Sequence, residues 1–297
     1  MSRTATEIAT QPDCWRRAAA HAADFEGLPA PGERVAVTGC GTSWFMALAY
    51  AALREAAGQG ETDAFASSEF PAGRRYDRVV AITRSGTTTE VLDLLAAVRG
   101  TVPTLALTAD PKTPVMAAAD TVAVLDWADE ESVVQTRFAT TALAFLRAGL
   151  GEVPGVKPLA DAAADAERAI TEPLPEAVTA AEQWTFLGRG WTYGLALEAG
   201  LKMREAAGAW TEAYPAMEYR HGPISITGPG RVAWMFGTLP EGLDEDVARV
   251  GGHLETRTDI DPLADLIRAQ RLAVHLAESR GHNPDSPRNL TRSVILS

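Results

Sequence analysis

The chain has 297 residues, of which 46% are hydrophobic, and it carries a formal net charge of -12 with an isoelectric point near 4.9. This length and composition predict a globular protein with room for two domains. The acidic balance argues against nucleic acid and against an anionic membrane surface as partners, because both require a basic protein surface.

The cysteines and histidines indicate which compartment and which kinds of site to expect. Cys14 and Cys40 are the only cysteines and lie in unlike sequence surroundings, and the five histidines form no cluster with them. This pattern favours a reducing compartment and predicts neither a disulfide framework nor a metal site. The N-terminus has no apolar targeting core, and no apolar run reaches the roughly 18 residues that a membrane span requires. We therefore expect a cytoplasmic protein.

From residue 34 onwards, apolar strands alternate with helices of 3.6-residue period. Such alternation predicts an α/β fold with a parallel sheet covered by helices on both faces. The predicted strands are 34–39, 62–67, 77–83, 102–108 and 121–126, and the predicted helices are 43–58, 87–100 and 132–149.

The second half of the chain repeats this pattern. "FLGRGWTYGLALEAGLKMREAAG" resembles "VTGCGTSWFMALAYAALREAAG", and Gly188 and Glu218 follow Gly39 and Glu69 by the same 149 positions. The repeat predicts two tandem doubly wound parallel-sheet units of three αβα layers, although Ala-rich helices can also resemble each other by chance. We place the domains at 1–150 and 151–297, the second starting with an Ala/Pro/Glu-rich helical linker.

Hydroxyl side chains and glycines follow two strands of the first half, in "TGCGTS" and "TRSGTTTE". In open parallel sheets such loops lie at the carboxyl ends of strands and at the positive ends of helices, where phosphates bind. An ordinary helix cap is the competing interpretation, because Thr87 and Glu90 have the spacing of a capping box. The second half has "TLPEG" at the corresponding place, so the fold itself does not require the hydroxyls.

Ionisable residues concentrate in the later part of the chain. Glu198, Lys202 and Glu205 have the i, i+4, i+7 spacing of one helix face. They form either a surface ion-pair ladder or a partly buried group in which a carboxylate is tuned as a general base. His221 precedes Gly-Pro in a predicted turn, from which it can project into a cleft or be incidental.

Five motifs in this order, "GCGTS", "SGTTTE", "LEAGLKMRE", "EYRHGPI" and "PRNLTRSVILS", together resemble the sugar isomerase (SIS) family. The resemblance covers nearly the whole chain. It is strongest to the isomerase part of glutamine:fructose-6-phosphate aminotransferases and to their stand-alone relatives, the phosphosugar isomerases and amino-sugar phosphate deaminases.

The resemblance implies roles for individual residues. Glu205 matches the base that moves a proton between carbons 1 and 2, with Lys202 and Glu198 close to those carbons. His221 matches the ring-opening residue, which in that family comes from the neighbouring subunit, so a homodimer is implied. No cofactor or metal is implied. The substrate-binding residues implied are Cys40, Gly41, Thr42, Ser43, Thr83, Arg84, Ser85, Gly86, Thr88, Val133 and Thr291.

The chain departs from the family pattern in three respects. Arg292 stands where the aminotransferases have a lysine, and arginine keeps the charge but cannot form an imine; we still expect it among the catalytic residues. Gln135 replaces a serine, and the glutamine-hydrolysing domain is missing from this sequence. The expected activity is therefore aldose-ketose isomerisation of an (amino)hexose 6-phosphate, of the glucosamine-6-phosphate deaminase/isomerase type.

Two alternatives remain open from the sequence. The protein could bind a sugar phosphate as a non-catalytic sensor, or act as an isomerase subunit that needs a separate glutaminase chain. The joint presence of Glu, Lys and His favours an enzyme.

Overall fold

A computed structural model describes residues 2–71 and 73–296 of the chain. Its strands are β1 (Val35–Gly39), β2 (Thr62–Ala66), β3 (Arg78–Ile82), β4 (Thr104–Thr108), β5 (Thr121–Val124), β6 (Gln183–Gly188), β7 (Trp210–Pro215), β8 (Arg231–Phe236) and β9 (His253–Arg257). Its helices are α1 (Arg3–Ala9), α2 (Gln11–Ala23), α3 (Thr42–Ala56), α4 (Thr89–Val98), α5 (Val115–Ala118), α6 (Arg137–Ala148), α7 (Leu159–Thr171), α8 (Glu176–Thr179), α9 (Thr192–Ala207), α10 (Leu243–Arg249) and α11 (Pro262–Ser279). None of the helices in the described residues is long and apolar enough to cross a membrane.

The strands form two sheets in which every neighbouring pair is parallel. The first sheet has the order β2-β1-β3-β4-β5 and the second the order β7-β6-β8-β9. Of their central strands, β1, β4 and β6 are buried from end to end and β3 and β8 from their second residue, as expected for sheets covered by helices on both faces. The predicted fold class, two tandem doubly wound α/β units, is confirmed. The proposed domain boundary between residues 150 and 151 separates the two sheets.

The internal repeat is visible in the backbone. β1, α3 and β2 correspond to β6, α9 and β7, and Gly41 and Gly190 lie at matching points with φ angles of 54° and 52°. Positive φ angles of this size favour glycine, which explains its presence in both strand-to-helix turns. The described part of the second half has no strand that matches β5.

The helix predicted at 132–149 starts later than expected, at Arg137. The Glu130 carboxylate accepts hydrogen bonds from the backbone N–H of Thr136 at 2.6 Å and of Arg137 at 2.8 Å. A carboxylate placed there compensates the free amides and the positive end of the helix. The segment before Arg137 is therefore a loop held by Glu130, which sequence periodicity did not predict.

Helix α9 of the second half packs directly against α3 of the first half. A Cβ atom at Gly194 would lie 2.4 Å from the backbone oxygen of Phe45 and 2.9 Å from the backbone nitrogen of Ala49. Only glycine therefore allows the two helix backbones to approach so closely. The buried apolar cluster continues across this contact, from the first sheet to the second.

The substitution Gly194→Ala should lower the free energy of unfolding by about 2 kcal/mol or more, because the new methyl group meets backbone atoms of α3 that cannot turn away. Gly200→Ala is the matched control on the same helix, since the nearest atom to its Cβ would belong to the flexible Arg204 side chain, at 3.2 Å, and its other contacts, with Thr211 and Phe186, are at ordinary distances of 3.6 and 3.8 Å. The control should be neutral or slightly stabilising through helix propensity. Urea unfolding measures both changes, and equal midpoints for the two variants would contradict the close-packing argument.

Candidate active site

A cavity of about 200 Å³ lies at the carboxyl ends of β1 and β3, between the two halves of the chain. This is the point where the strand order of the first sheet reverses, the usual ligand position in such sheets. It is lined by most of the residues predicted from the sequence, namely Cys40, Gly41, Thr42, Ser43, Thr83, Arg84, Ser85, Thr88, Val133, Lys202, Glu205, Thr291 and Arg292.

Hydroxyl groups form one end of the cavity. The Thr83 hydroxyl is buried and has no hydrogen-bond partner within the described residues, which is uncommon for a buried polar group without a ligand. The Ser85 hydroxyl accepts from the Thr87 N–H at 3.3 Å and from the Thr87 hydroxyl at 3.0 Å, so its own proton is available to donate. Helices α3 and α4 both begin beside these groups and add their positive ends. This end of the cavity suits a phosphate.

The capping box predicted for Thr87 and Glu90 is wrong. The N-cap residue of α4 is Thr88, without a side-chain capping bond. The Thr87 hydroxyl instead contacts the hydroxyls of Ser85 and, at 2.8 Å, of Ser293 in the C-terminal tail. The hydroxyls are therefore organised by the loop and the tail, and helix capping does not account for them.

The second half uses its corresponding hydroxyl differently. Thr192 begins α9 as Ser43 lies in the first turn of α3. Its hydroxyl accepts from the Arg189 N–H at 2.9 Å and donates to the Phe236 carbonyl at 3.0 Å. The Ser43 side chain makes no hydrogen bond within the described residues and remains available to a ligand.

A lysine between two carboxylates lies at the cavity, which Lys202 and Glu205 line. The Lys202 ammonium donates to Glu205 and lies 3.5 Å from a Glu198 oxygen. The side chains of Lys202 and Glu198 are 1% and 0% exposed, whereas that of Glu205 is 20% exposed. The group is therefore not a surface ion-pair ladder, and Glu205 is its member with access to the cavity.

The buried positions of Glu198 and Lys202, next to Glu205, shift the pKa values of both groups. Burial raises the pKa of Glu198 to about 8, and the nearby Lys202 charge opposes this only partly. Burial alone would lower the pKa of Lys202, but the two carboxylates outweigh it and raise that pKa. These shifts favour the cationic form of Lys202 beside Glu205 and the protonated form of Glu198. Glu198 lies behind Lys202 and does not line the cavity.

Both predicted arginines line the cavity, but their guanidinium groups are engaged by other parts of the chain. The Arg84 guanidinium donates to backbone carbonyls, including those of Val133 at 3.0 Å and Arg292 at 3.2 Å. The Arg292 guanidinium pairs with Asp129 and donates to the Glu130 carbonyl. The catalytic role expected for Arg292 remains a prediction.

Gly86 and His221 do not line the cavity. Gly86 has a φ angle of 63°, and a Cβ there would lie 2.0 Å from the Thr113 hydroxyl, so its role is to shape the loop. His221 is exposed and ends the 3-10 turn Glu218–His221, in which Tyr219 is buried. Its delivery to the site of a neighbouring subunit remains a prediction.

Several lining residues were missed by sequence reasoning, namely Ile82, Val91, Gln135, Leu290, Ser293 and Val294. Gln135 could have been identified from the sequence, because it stands where the family has a serine. Ser293 carried a weaker signal, since it follows Thr291 and Arg292 directly. Nothing in the pattern around Glu130 indicated that its carboxylate would organise the adjacent loop.

No protein-family model matches the chain. It is 26% identical over 295 residues to a glutamine–fructose-6-phosphate aminotransferase (isomerizing) of Sulfurisphaera tokodaii, an alignment that covers 89% of this chain and 50% of that protein. The chain thus spans about half the length of the curated relatives it matches.

Solved structures of other proteins have the same fold as this chain. A glucosamine-6-phosphate deaminase from Thermotoga maritima superposes with a TM-score of 0.83 at 23% identity, covering 99% of this chain and 100% of that one. The C-terminal domain of a glucosamine-fructose-6-phosphate aminotransferase from Francisella tularensis gives 0.77 at 21% identity, covering 97% and 98%. These similarities confirm the resemblance to the sugar isomerase (SIS) family, in sequence and in fold.

The raised pKa of Glu198 predicts how stability depends on pH. Between about pH 5 and pH 8 folded Glu198 keeps a proton that the unfolded chain has lost, so the stability linked to that proton is lost as the pH rises through this window. In Glu198→Gln this loss is absent. The free energy of unfolding of the wild type should therefore fall, relative to Glu198→Gln, from pH 5 to pH 8.

Urea unfolding at each pH measures this difference. Glu176→Gln, at an exposed position of α8, is the control and should track the wild type throughout the range. A difference between wild type and Glu198→Gln that does not change with pH would show that Glu198 is ionised in the folded protein.

Proposed function

We propose that this chain is a sugar-phosphate isomerase-type enzyme that acts on an (amino)hexose 6-phosphate, of the glucosamine-6-phosphate deaminase/isomerase type. The observation that carries the proposal is a single cavity that is lined both by unpaired hydroxyls and by Glu205 beside Lys202. A sugar phosphate needs hydrogen-bond donors for its phosphate and a base beside a cation for the carbon that loses its proton. One cavity offers both to the same small molecule.

In the proposed reaction the hydroxyl end, with Thr83 and Ser85, holds the phosphate. Glu205 removes the proton from carbon 2 of the open-chain aldose and returns it to carbon 1. The Lys202 cation stabilises the negative charge that develops on the substrate oxygen during this transfer. With an ordinary hydroxyl at carbon 2 the product is the ketose.

With an amino group at carbon 2 the same proton transfer produces a ketose imine. Addition of water to its C=N bond and departure of ammonia give fructose 6-phosphate, so one amino sugar and one water become one ketose and one ammonia. The name of the Thermotoga relative, a deaminase, supports this variant, and glutamine hydrolysis is not part of it.

We further propose that the working enzyme is a homodimer in which His221 of one subunit opens the sugar ring at the other subunit's site. Two observations support this. His221 is exposed in a short turn, and it does not line the cavity of its own chain.

The substitution Glu205→Gln should lower kcat by about a hundredfold or more, because the amide cannot accept the proton. Ammonia release and fructose 6-phosphate formation from glucosamine 6-phosphate measure it. Glu212→Gln, a half-buried glutamate of β7 outside the cavity, is the control and should keep wild-type activity. Equal activity of wild type and Glu205→Gln would refute the assigned base. Binding of sugar phosphates by the wild type without any turnover would favour the sensor.

A mixing experiment tests the shared site. Glu205→Gln and His221→Gln should each be inactive alone, but a heterodimer of the two has one site with both residues intact. After random subunit exchange, half of the dimers are mixed, so activity should return to about a quarter of the wild-type level. If His221 served its own chain, every site would lack one residue and mixing would restore nothing.

A further inference from the structure

We propose that Arg84 is a positioning residue, which holds the sugar-binding walls of the cavity against the phosphate loop without binding the phosphate. The inference rests on the proposed function, because it concerns how the same cavity binds its sugar phosphate.

The Arg84 guanidinium connects three separate segments. One terminal nitrogen donates to the Ser132 carbonyl at 3.2 Å and lies 3.4 Å from the Glu130 carboxylate, and the other donates to the carbonyls of Val133 at 3.0 Å and Arg292 at 3.2 Å. The planar fork of an arginine can reach several acceptors at once, which the point charge of a lysine cannot. Arg84 thereby joins the 130–136 loop and the C-terminal tail to the loop after β3.

The backbone of Arg84 is held in place by hydrogen bonds to the end of β4. Its carbonyl accepts from the Ala109 N–H at 3.0 Å and from the Thr108 hydroxyl at 3.1 Å, at the end of β4. The side chain is 4% exposed, and the Glu130 carboxylate it faces is 0% exposed. Arg84 is therefore a rigid point from which the two more peripheral segments are held.

These contacts leave the guanidinium only one unpaired donor within the described residues, its buried Nε–H, and therefore little capacity for a phosphate. Both terminal nitrogens already donate to carbonyls, and the Glu130 carboxylate compensates the charge. The hydroxyls of Thr83 and Ser85, by contrast, have unused hydrogen-bonding capacity at the cavity. We therefore assign phosphate binding to the hydroxyls. Arg84 holds the segments around them in place.

The segments that Arg84 holds carry groups that face the cavity. Gln135 lies in the 130–136 loop, lines the cavity and makes no side-chain hydrogen bond within the described residues. Thr291 and Ser293 lie in the tail and also line it. An amide and two hydroxyls are suited to sugar hydroxyls, since each can donate and accept. Removing Arg84 should loosen these walls and leave the phosphate loop intact.

The experiment compares two ligands that share a phosphate but differ in the sugar. Calorimetry gives the dissociation constants of fructose 6-phosphate and of inorganic phosphate for the wild type, Arg84→Gln, Arg84→Lys and Ser85→Ala. Arg84→Gln should weaken fructose 6-phosphate about tenfold or more and inorganic phosphate by no more than about twofold. Arg84→Lys should behave like Arg84→Gln, because the charge without the fork cannot hold both segments. Ser85→Ala should weaken both ligands by similar factors.

The outcomes separate the two proposals. If Arg84→Gln weakens both ligands equally, or if Arg84→Lys restores wild-type binding, Arg84 acts through its charge on the phosphate, and this inference falls while the proposed function stands. If the wild type binds neither ligand, the proposed function falls and this inference falls with it.

A second measurement applies if Arg84→Gln does not fold. Hydrogen exchange in Arg84→Lys should accelerate at the amides of Val133 and Leu296, which bond to Asp285 and Thr89, and remain unchanged in β1 and β3. Unchanged exchange at these two amides would overturn the positioning role.

Discussion

The close contact between α3 and α9 is the constraint on which the site depends. Gly194 lets the backbone of α9 approach that of α3 around Phe45, and four residues further along α9 comes Glu198, followed by Lys202 and Glu205. The same α3 begins at Thr42, in the loop after β1 that lines the cavity. A single helix pair therefore connects the hydroxyls that line the cavity from the first half with Lys202 and Glu205, which line it from the second.

The burial of Lys202 between two carboxylates would be unfavourable if all three groups were charged. The raised pKa of Glu198 favours its uncharged form, which reduces the number of charges in the group, and the Lys202 ammonium donates to Glu205. Glu205 alone reaches the cavity, so its charge is compensated from behind and remains accessible in front. This arrangement explains why a glutamate that does not touch the cavity stands on the same helix face as the proposed base.

Sequence reasoning predicted the parts of the molecule that repeat a simple pattern. Strand and helix periodicity and the offset of 149 residues were enough for the two sheets, and the spacing of Glu198, Lys202 and Glu205 was enough to place them on one face. It failed where a side chain bonds to a distant segment. The Thr87 hydroxyl contacts Ser293, and the Glu130 carboxylate replaces the first turn of a predicted helix. Such contacts depend on tertiary proximity, which has no signature in local spacing.

The two halves of the repeat differ in how they satisfy one hydroxyl, and this difference has a structural consequence. In the second half the Thr192 hydroxyl closes its own turn, which makes that turn self-sufficient. In the first half the corresponding hydroxyl, that of Ser43, makes no hydrogen bond within the described residues, and the loops around the Thr83 and Ser85 hydroxyls are held by Arg84, Glu130 and the tail. A loop that is supported from outside can leave its own donors free for a ligand. The loops that line the site are thus held by the residues behind the hydroxyls and not by the hydroxyls themselves.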